Sequence, residues 1–429
     1  MRRLKFLIAF ATMLSALMSF GVLNLGGTAP AGASSKVTLT LWDNYGGDNE
    51  AVATAALTKA FTKLHPNITF NIVSQPGTNY FSLLSAAAIS GTGPDLAVEW
   101  TGQFDLLRQS YELNLKNYLS ASELASINGA SYAALDFNTS KGLLVVPYDH
   151  DSYIGYYNKS LFAKAGIKSI PEDWSQLFSD CSALKSAGIQ PMVYGNTGAL
   201  VLGEEFYPWY DMTYLIAGEY PPSGFTNLYS GKLTWTSPTI EAQLQKWDSL
   251  QSKGCTNSDV LTNSNTLSEF VKGKAAMIID GTWDSKTLIQ GLGSKLGVFV
   301  PPYSNTPIHS IVQYPGDGYS VMKYSKHIPQ DIEFEKFILT EQAAKIIESS
   351  GVTPNRVGFV SNNPVVQDIE KFIQGDHYTV FPMLDNIAQT NVVNTGSQDL
   401  DATFAGDMSA TAALKAMAQT WQQLPPSQK

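Results

Sequence analysis

Short apolar segments with the period of a strand alternate with longer segments of helical period. The segment "KVTLTLWD" at 36–43 alternates apolar and polar residues and predicts a half-buried strand. A helix is predicted at 49–64, ending at His65 because proline disfavours a helical residue before it. The strand "ITFNIV", a helix at 80–89 and the strand "PDLAVEW" follow. This rhythm predicts a parallel sheet with crossover helices.

The rest of the chain continues with mixed strands and helices. We predict strands ending at Pro147 and running through Tyr157, a helix from Lys159 to Gly166, and further strands in "GKAAMIID", "LGVFVPP" and "GYSVMKY". The part after Pro329 is mostly helical in pattern. With 429 residues, the chain exceeds the size of one hydrophobic core, so an α/β protein of two lobes is expected.

The first 33 residues have the pattern of a secretory signal peptide. Arg2, Arg3 and Lys5 precede the apolar stretch 6–22, and Ala31-Gly32-Ala33 resembles a cleavage site. An uncleaved anchor is the alternative, because the apolar stretch is only slightly shorter than a membrane span. No cysteine lies near the cleavage site, which argues against a lipoprotein. We therefore expect an exported protein that is extracellular or periplasmic and associated with the cell envelope.

Charge and cysteine content narrow the classes of partner. The chain has 28 basic and 37 acidic residues and a formal net charge of −9, which argues against nucleic acid or an anionic membrane as a partner. Export permits a disulfide between Cys181 and Cys255, but spacing alone leaves their pairing open. No Cys/His ligand spacing and no Gly-rich nucleotide loop occurs, so neither a metal nor a cofactor is expected.

An enzyme is the main alternative to a binding protein. Asp149 with Asp151, and Asp280 with Asp284, are carboxylate pairs near aromatic residues, as glycoside hydrolysis requires. Sequence spacing does not give their separation across a scissile bond. The serine elbow of acyl hydrolases and the His-Glu-x-x-His motif of metalloproteases are absent from the sequence.

Aromatic and acidic residues recur at the ends of the predicted strands. A sugar ring offers an apolar face to an aromatic plane, and its hydroxyls donate to carboxylates. Core packing for the tryptophans and helix capping for Asp43 and Asp284 remain the alternatives. The candidates for ligand contact are Trp42, Asp43, Tyr80, Glu99, Trp100, Asp149, His150, Asp151, Tyr207, Trp209, Trp283, Gly316, Asp317 and Tyr319.

Eight segments in order carry a resemblance to a known family. They are "LTLWD", "HPNITFNIV", "AAISGTGPDLAVEW", "YNKSLFAKAGI", "PEDWSQL", "GKAAMIIDGTWD", "GDGYSVMKYSK" and "FAGDMSATAALKAM". Together they resemble the extracellular sugar-binding proteins of ATP-driven (ABC) importers, the class that includes maltose-binding protein. The resemblance implies a type II-like periplasmic-binding-protein fold with two α/β lobes, a hinge and an interlobe cleft. It also implies a carbohydrate ligand, membrane permease subunits as partners, a monomer and no catalysis.

The resemblance assigns roles to several of the candidates. It places Trp283 under the sugar and Glu99 with Trp100 at the rim of the cleft. It makes Asp151 a ligand-facing acid, with Asp149 as the alternative. Tyr207 and Trp209 correspond to aromatic residues of the second lobe, and Gly316, Asp317 and Tyr319 to a Gly-rich entry into a strand of the first lobe.

The chain is expected to cross between the two lobes three times, near 147–151, 299–303 and 339–344. Lobe 1 would then contain residues 34–148 and 300–342, and lobe 2 residues 149–299 and 343–429. Two functions of another class stay open: a secreted glycoside hydrolase or lyase, and a binding protein for a charged small solute.

Overall fold

A computed structural model of the chain describes residues 36–46, 48–76, 79–102, 108–133, 142–195 and 208–429, without the side chains of residues 208, 209, 385 and 427. The predicted signal peptide, residues 1–33, lies outside the described residues. Among the helices that are described, none is long and apolar enough to cross a membrane.

The elements agree closely with the periodicity of the sequence. In the described part of the chain the strands are β1 (Val37–Asp43), β2 (Ile68–Ser74), β3 (Leu96–Trp100), β4 (Val145–Pro147), β5 (His150–Asn158), β6 (Gln190–Met192), β7 (Ala275–Gly281), β8 (Leu296–Phe299), β9 (Ser310–Pro315), β10 (Asp317–Val321) and β11 (Thr379–Phe381). The α-helices there are α1 (Asn49–Leu64), α2 (Tyr80–Ser90), α3 (Ala121–Ala125), α4 (Ala130–Ala133), α5 (Lys159–Lys164), α6 (Trp174–Ser186), α7 (Pro208–Ala217), α8 (Ser223–Tyr229), α9 (Pro238–Ser252), α10 (Thr266–Val271), α11 (Ser285–Leu292), α12 (Ile328–Ile338), α13 (Glu341–Ser350), α14 (Pro364–Glu370), α15 (Thr390–Phe404) and α16 (Ala410–Gln423).

The first sheet has the strand order β2-β1-β3-β10-β4. β1 pairs in parallel with both β2 and β3, so the predicted parallel sheet with crossover helices α1 and α2 is confirmed. β10 enters between β3 and β4 and is antiparallel to both. The carboxyl ends of β1 and β3 therefore lie at the same edge of the sheet as the start of β10, where Asp317 pairs with Trp100.

The second sheet has the order β11-β9-β5-β7-β6, and the long strand β5 is its centre. One side of β5 pairs with β7, while its other side pairs first with β9 and then with β8, all antiparallel. Gly155 lies at the change from β9 to β8. A Cβ there would overlap the Phe299 ring, so glycine lets the aromatic side chain lie against the strand.

A disulfide joins α6 to the segment after α9 in this second lobe. Cys181 and Cys255 are both buried, and their Cα atoms lie 5.2 Å apart. The backbone carbonyl of Cys255 accepts a 2.9 Å hydrogen bond from the N–H of Met192 in β6. The disulfide therefore links a helix and a loop that flank the edge strand of the second sheet.

The two sheets have separate hydrophobic cores. The first core takes its buried residues from 39–148 and 319–352, and the second from 153–314 and 365–424. The chain therefore crosses between cores at 149–152, 315–318 and 353–364.

Two of these crossings lie later in the chain than the sequence predicted. Val300 and Tyr303 are buried in the second core, which places residues 300–314 in lobe 2 rather than lobe 1. Ala343 and Ile347 are buried in the first core, because α13 packs against α1. A buried strand or helix has the same apolar pattern in either core, so periodicity could not assign these segments to a lobe.

Candidate functional site

The three crossing segments meet in one network of backbone hydrogen bonds. Tyr148 N–H donates to Asp317 O at 2.9 Å, and Gly316 N–H donates to Asp149 O at 3.2 Å, which joins the first two segments. His150 N–H donates to Thr353 O at 2.9 Å, which adds the third. The segment at Tyr148–His150 is therefore the central strand of a three-stranded connection between the lobes.

His150 belongs to this connection. Its Nε2 lies 3.1 Å from Nδ2 of Asn128, and its Nδ1 lies 3.4 Å from Nδ2 of Asn355. Burial lowers the pKa of His150 to about 4, so the ring is neutral at physiological pH. The structure thus places His150 between the side-chain amides of Asn128, in the first lobe, and Asn355, in the third crossing.

Four carboxyl groups come together beside the crossings, and we call Glu50, Asp149, Asp151 and Asp317 the acidic quartet. They come from the first turn of α1, the first crossing, β5 and the start of β10. Glu50, Asp149 and Asp151 are each more than nine-tenths buried, and Asp317 is half-buried. A Cβ on Gly316 would clash with the carboxylates of both Asp149 and Asp151, so only glycine fits between these two groups.

Burial and mutual repulsion raise the pKa values of the quartet. Burial raises the pKa of Glu50 to about 8, and the charges of Asp151 and Asp317 add to the effect. Burial likewise raises the pKa of Asp317 to about 7 and that of Asp151 to about 6. The pKa of Asp149 is also raised, by burial and then by the charges of its acidic neighbours. Burial thus shifts the titration of these four carboxyl groups upward, toward neutral pH.

Trp283 lies next to the quartet, on the side of the second lobe. β7 ends at Gly281, and a single 3₁₀ turn at Thr282–Asp284 leads into α11. The Thr282 hydroxyl donates a 3.0 Å hydrogen bond to Oδ1 of Asp151 and accepts one from Ser152 N–H at 3.0 Å. Trp283 therefore directly follows Thr282, the residue of this turn that is hydrogen-bonded to the quartet.

The Trp283 indole is half-buried and lies against the backbone of Gly281, where a Cβ would overlap the ring. Its other described neighbours include Tyr210, at a ring-centroid distance of 6.3 Å in an edge-to-face arrangement. Nδ2 of Asn49, from the first lobe, approaches the Trp283 carbonyl oxygen at 3.5 Å. The two lobes thus contact each other across the cleft at Trp283. Asp284 holds the N-cap position of α11 without a side-chain capping bond.

The first lobe contributes Trp42, Asp43 and Trp100 at the carboxyl ends of β1 and β3. Both tryptophans are half-buried, whereas Asp43 is buried and accepts a 3.4 Å hydrogen bond from Tyr45 N–H. Trp100 pairs with Asp317 in the sheet and packs against the second core. The structure therefore brings Trp100 to the lobe junction, close to one member of the quartet.

Glu99 forms an ion pair. Both of its carboxylate oxygens accept from Arg108, through Nε and, at 2.6 Å, through Nη2, and the pair is buried. The Arg108 guanidinium also lies 4.8 Å from the centroid of the Phe81 ring. The sequence predicted that Glu99 contacts the ligand. In the structure, Arg108 occupies both of its carboxylate oxygens, so Glu99 has a partner within the protein.

Tyr80 and Tyr319 lie inside the first core. The Tyr80 hydroxyl donates to Val98 O at 2.8 Å, and the Tyr319 hydroxyl pairs with Thr54 Oγ1 at 2.7 Å. Neither side chain is exposed. Both rings are enclosed by the first core, where Tyr319 stacks on Tyr148 with ring centroids 5.2 Å apart, so neither side chain is open to the cleft.

Two of the predicted second-lobe aromatics cannot be placed. Tyr207 lies outside the described residues, and only the backbone of Trp209 is described, in the first turn of α7. Conversely, sequence reasoning missed Glu50, Asn49 and Thr282. Glu50 begins the helix that follows β1, and helix starts at the carboxyl edge of a parallel sheet are where such folds place ligand groups.

Comparison with known proteins identifies the family. The family model for bacterial extracellular solute-binding proteins matches residues 46–345, more than half of the chain. The chain belongs to this family. A Brucella abortus (strain 2308) protein named as a binding protein is 30% identical over 152 residues. That alignment covers 35% of this chain and 36% of that protein, so the chain spans about a third of the length of the curated relatives that it matches.

The fold of this solute-binding protein is similar to that of several solved structures. A chitin oligosaccharide binding protein matches with a TM-score of 0.77 at 20% identity, covering 90% of this chain and 98% of that chain. The GacH receptor of Streptomyces glaucescens, solved unliganded and with acarbose, matches with a TM-score of 0.73 at 19% identity, covering 91% of this chain and 98% of that chain. These likenesses confirm the predicted two-lobe α/β solute-binding fold with an interlobe cleft.

Proposed function

We propose that this solute-binding protein captures a carbohydrate, most simply an oligosaccharide, between its lobes and delivers it to the permease of an ABC importer. The observation that carries the proposal is the position of Trp283. Its half-buried indole lies at the lobe junction, one residue from the Thr282–Asp151 hydrogen bond. An aromatic face beside carboxylates matches the apolar face and hydroxyl rim of a sugar ring.

Two of the relatives support a sugar as ligand. One is named for chitin oligosaccharides, and another was solved with acarbose. In our proposal Trp283, Trp100 and Trp42 contact the sugar ring, while Asp43 and the acidic quartet accept its hydroxyls. The contact between Asn49 and Trp283 belongs to a closed state that the sugar stabilises by touching both lobes.

The remaining parts of the proposal concern how the protein acts. It works outside the cytoplasm after export by the leader at 1–33, binds as a monomer and performs no chemistry on its ligand. The Asp149 and Asp151 pair would then serve binding rather than glycoside hydrolysis. Incubation with the bound oligosaccharide should yield no product by chromatography, whereas shorter products would support the hydrolase alternative.

A thermal-shift screen against mono- and oligosaccharides tests the proposal. A ligand that binds only the folded state stabilises it by about 2.7 kcal/mol at a hundredfold excess over Kd. At least one sugar should raise the melting temperature, and Trp283→Ala should weaken its affinity by about 1–3 kcal/mol while the fold persists. If no carbohydrate shifts the melting temperature, the proposed function is wrong.

A further inference from the structure

The described donors to the acidic quartet are all neutral. Asp149 Oδ1 accepts from Asp317 N–H at 2.5 Å, Asp151 Oδ1 accepts from Thr282, and Asp317 accepts from the Tyr45 hydroxyl. Glu50 accepts only from its own backbone N–H. Among the described residues, the ion pairs join other side chains, and none includes a member of the quartet.

Two carboxylate oxygens of the quartet accept no hydrogen bond from the described residues. They are Oδ2 of Asp149 and Oδ2 of Asp151, and each group's Oδ1 already has a donor. A carboxylate oxygen with unused lone pairs can accept a hydrogen bond from a ligand. Asp151 Oδ2 lies against Gly316, which is in the second crossing between the lobes, beside the proposed ligand cleft.

The rest of the sequence offers little positive charge to fill this role. The guanidinium of Arg108 is paired with Glu99, and that of Arg356 donates to the carbonyl oxygen of Leu339. Between residues 36 and 207, the segments outside the described ranges contain one basic residue, Lys141, together with Asp105, Asp136, Glu204 and Glu205.

Among the described residues, the carboxyl groups of the quartet are not grouped as metal ligands. The described part of the chain has no group of three or more His, Cys, Asp or Glu side chains placed to hold a metal ion. Trp283 beside the quartet instead favours an organic cation that has a ring face, because an aromatic plane attracts both C–H groups and a nearby ammonium.

We propose that the cleft selects amino sugars with a free, protonated amine over neutral sugars of the same size. This inference rests on the proposed carbohydrate function and specifies its ligand class. The sugar ring lies on Trp283, and its ammonium donates to the unfilled oxygens of Asp149 and Asp151, with Glu50 and Asp317 completing the negative field. Burial, with repulsion from acidic neighbours, raises the pKa values of Glu50, Asp149 and Asp317, and a bound cation would lower them, so we expect binding to release protons.

Calorimetry near neutral pH tests the selection with matched oligosaccharides. β-1,4-linked glucosamine oligomers are compared with N-acetylglucosamine oligomers and cello-oligosaccharides of equal length, each in two buffers of different ionisation enthalpy. We expect the free-amine series to bind at least about tenfold more tightly, with proton release. Equal or tighter binding of the neutral series overturns the inference and leaves the proposed function standing.

Isosteric variants separate charge from shape. Asp151→Asn keeps an oxygen that accepts from Thr282, and Glu50→Gln disturbs no side-chain partner. Each should weaken glucosamine oligomers about tenfold more than it weakens cello-oligosaccharides of the same length, because the neutral series loses only hydroxyl contacts. Asp368→Asn, which removes a surface ion pair with Lys371, is the control and should change neither affinity. Unchanged glucosamine affinity in both quartet variants contradicts the inference. Binding of spermidine without binding of any sugar contradicts both the inference and the carbohydrate function.

Discussion

The backbone N–H of Asp317 donates a 2.5 Å hydrogen bond to Oδ1 of Asp149. Asp149 is in the first crossing between the lobes and Asp317 ends the second, so this bond ties together two strands of the hinge. Gly316, between them, lies against the carboxylates of Asp149 and Asp151. The hinge and the acidic quartet are therefore built partly from the same residues, so a ligand that binds the quartet, as we propose, would also contact the hinge.

Gly316→Ala should weaken ligand binding more than it weakens the fold. The added Cβ collides with the Asp149 and Asp151 carboxylates and displaces the quartet. We expect a loss of at least about tenfold in affinity, or about 1.4 kcal/mol, by isothermal titration calorimetry. Gly375→Ala is the control, because a Cβ there meets no atom within 4 Å. Equal affinity in both variants would show that the quartet does not contact the ligand.

Gly281→Ala should reproduce the binding defect of Trp283→Ala. Gly281 has φ −88°, so alanine is allowed by the backbone, but its Cβ occupies the space of the Trp283 ring. Both variants should lose about 1–3 kcal/mol of sugar affinity, the range for a buried aromatic contact.

Trp247→Phe is the contrasting variant for this prediction. Trp247 is fully buried and donates a 2.8 Å hydrogen bond to Asp211, so its replacement should lower the melting temperature and leave affinity intact. If Gly281→Ala lowers the melting temperature as Trp247→Phe does and binds sugar normally, Trp283 packs the core instead of a ligand.

Loss of the disulfide should lower stability without changing affinity. Cys181 and Cys255 are 74 residues apart in sequence, and closing a loop of this size stabilises by roughly 4 kcal/mol in the chain-entropy model. The Cys181→Ser, Cys255→Ser double variant should therefore melt at a lower temperature, measured by differential scanning calorimetry. Both residues are in the second core and away from the crossings, so a large change in sugar affinity would contradict this assignment.

Stability should fall as pH rises, in part because of Asp331 on α12. Burial raises the pKa of Asp331 to about 7 from an ordinary value of 3.8, so the folded state holds a proton that the unfolded state has released. Its contribution is present below about pH 4 and is lost progressively as pH rises to about 7. Denaturant unfolding at a series of pH values should give a shallower slope for Asp331→Asn than for the unchanged protein.

Glu335, one turn after Asp331, strengthens the same effect. It is fully buried, its carboxylate oxygens have no hydrogen-bond partner in the described structure, and burial raises its pKa. Glu335→Gln should also flatten the pH dependence, whereas the exposed-helix variant Asp368→Asn should leave it unchanged. An unaltered slope in both core variants would mean that these carboxyl groups are solvated in the folded protein.

The sequence by itself determined the local elements and gave candidates for the site. Alternation in "KVTLTLWD" and the proline after α1 predicted β1 and the end of its helix, because these signals act within a few residues. Acidic and aromatic residues at strand ends made Asp149, Asp151 and Trp283 candidates for ligand contact, since strand ends of an α/β sheet meet at one edge, and the family resemblance assigned Trp283 to the sugar. The resemblance to sugar-binding proteins supplied the two-lobe fold.

Only the tertiary structure decided what depends on contacts between distant segments. It assigned β8 and β9 to the second sheet and α13 to the first lobe, paired Glu99 with Arg108, and brought Glu50 within electrostatic range of Asp151 and Asp317. Periodicity records whether a residue is buried, but not which residue buries it. Charge partners and raised pKa values depend on distances across the fold, and these exist only once both lobes are packed.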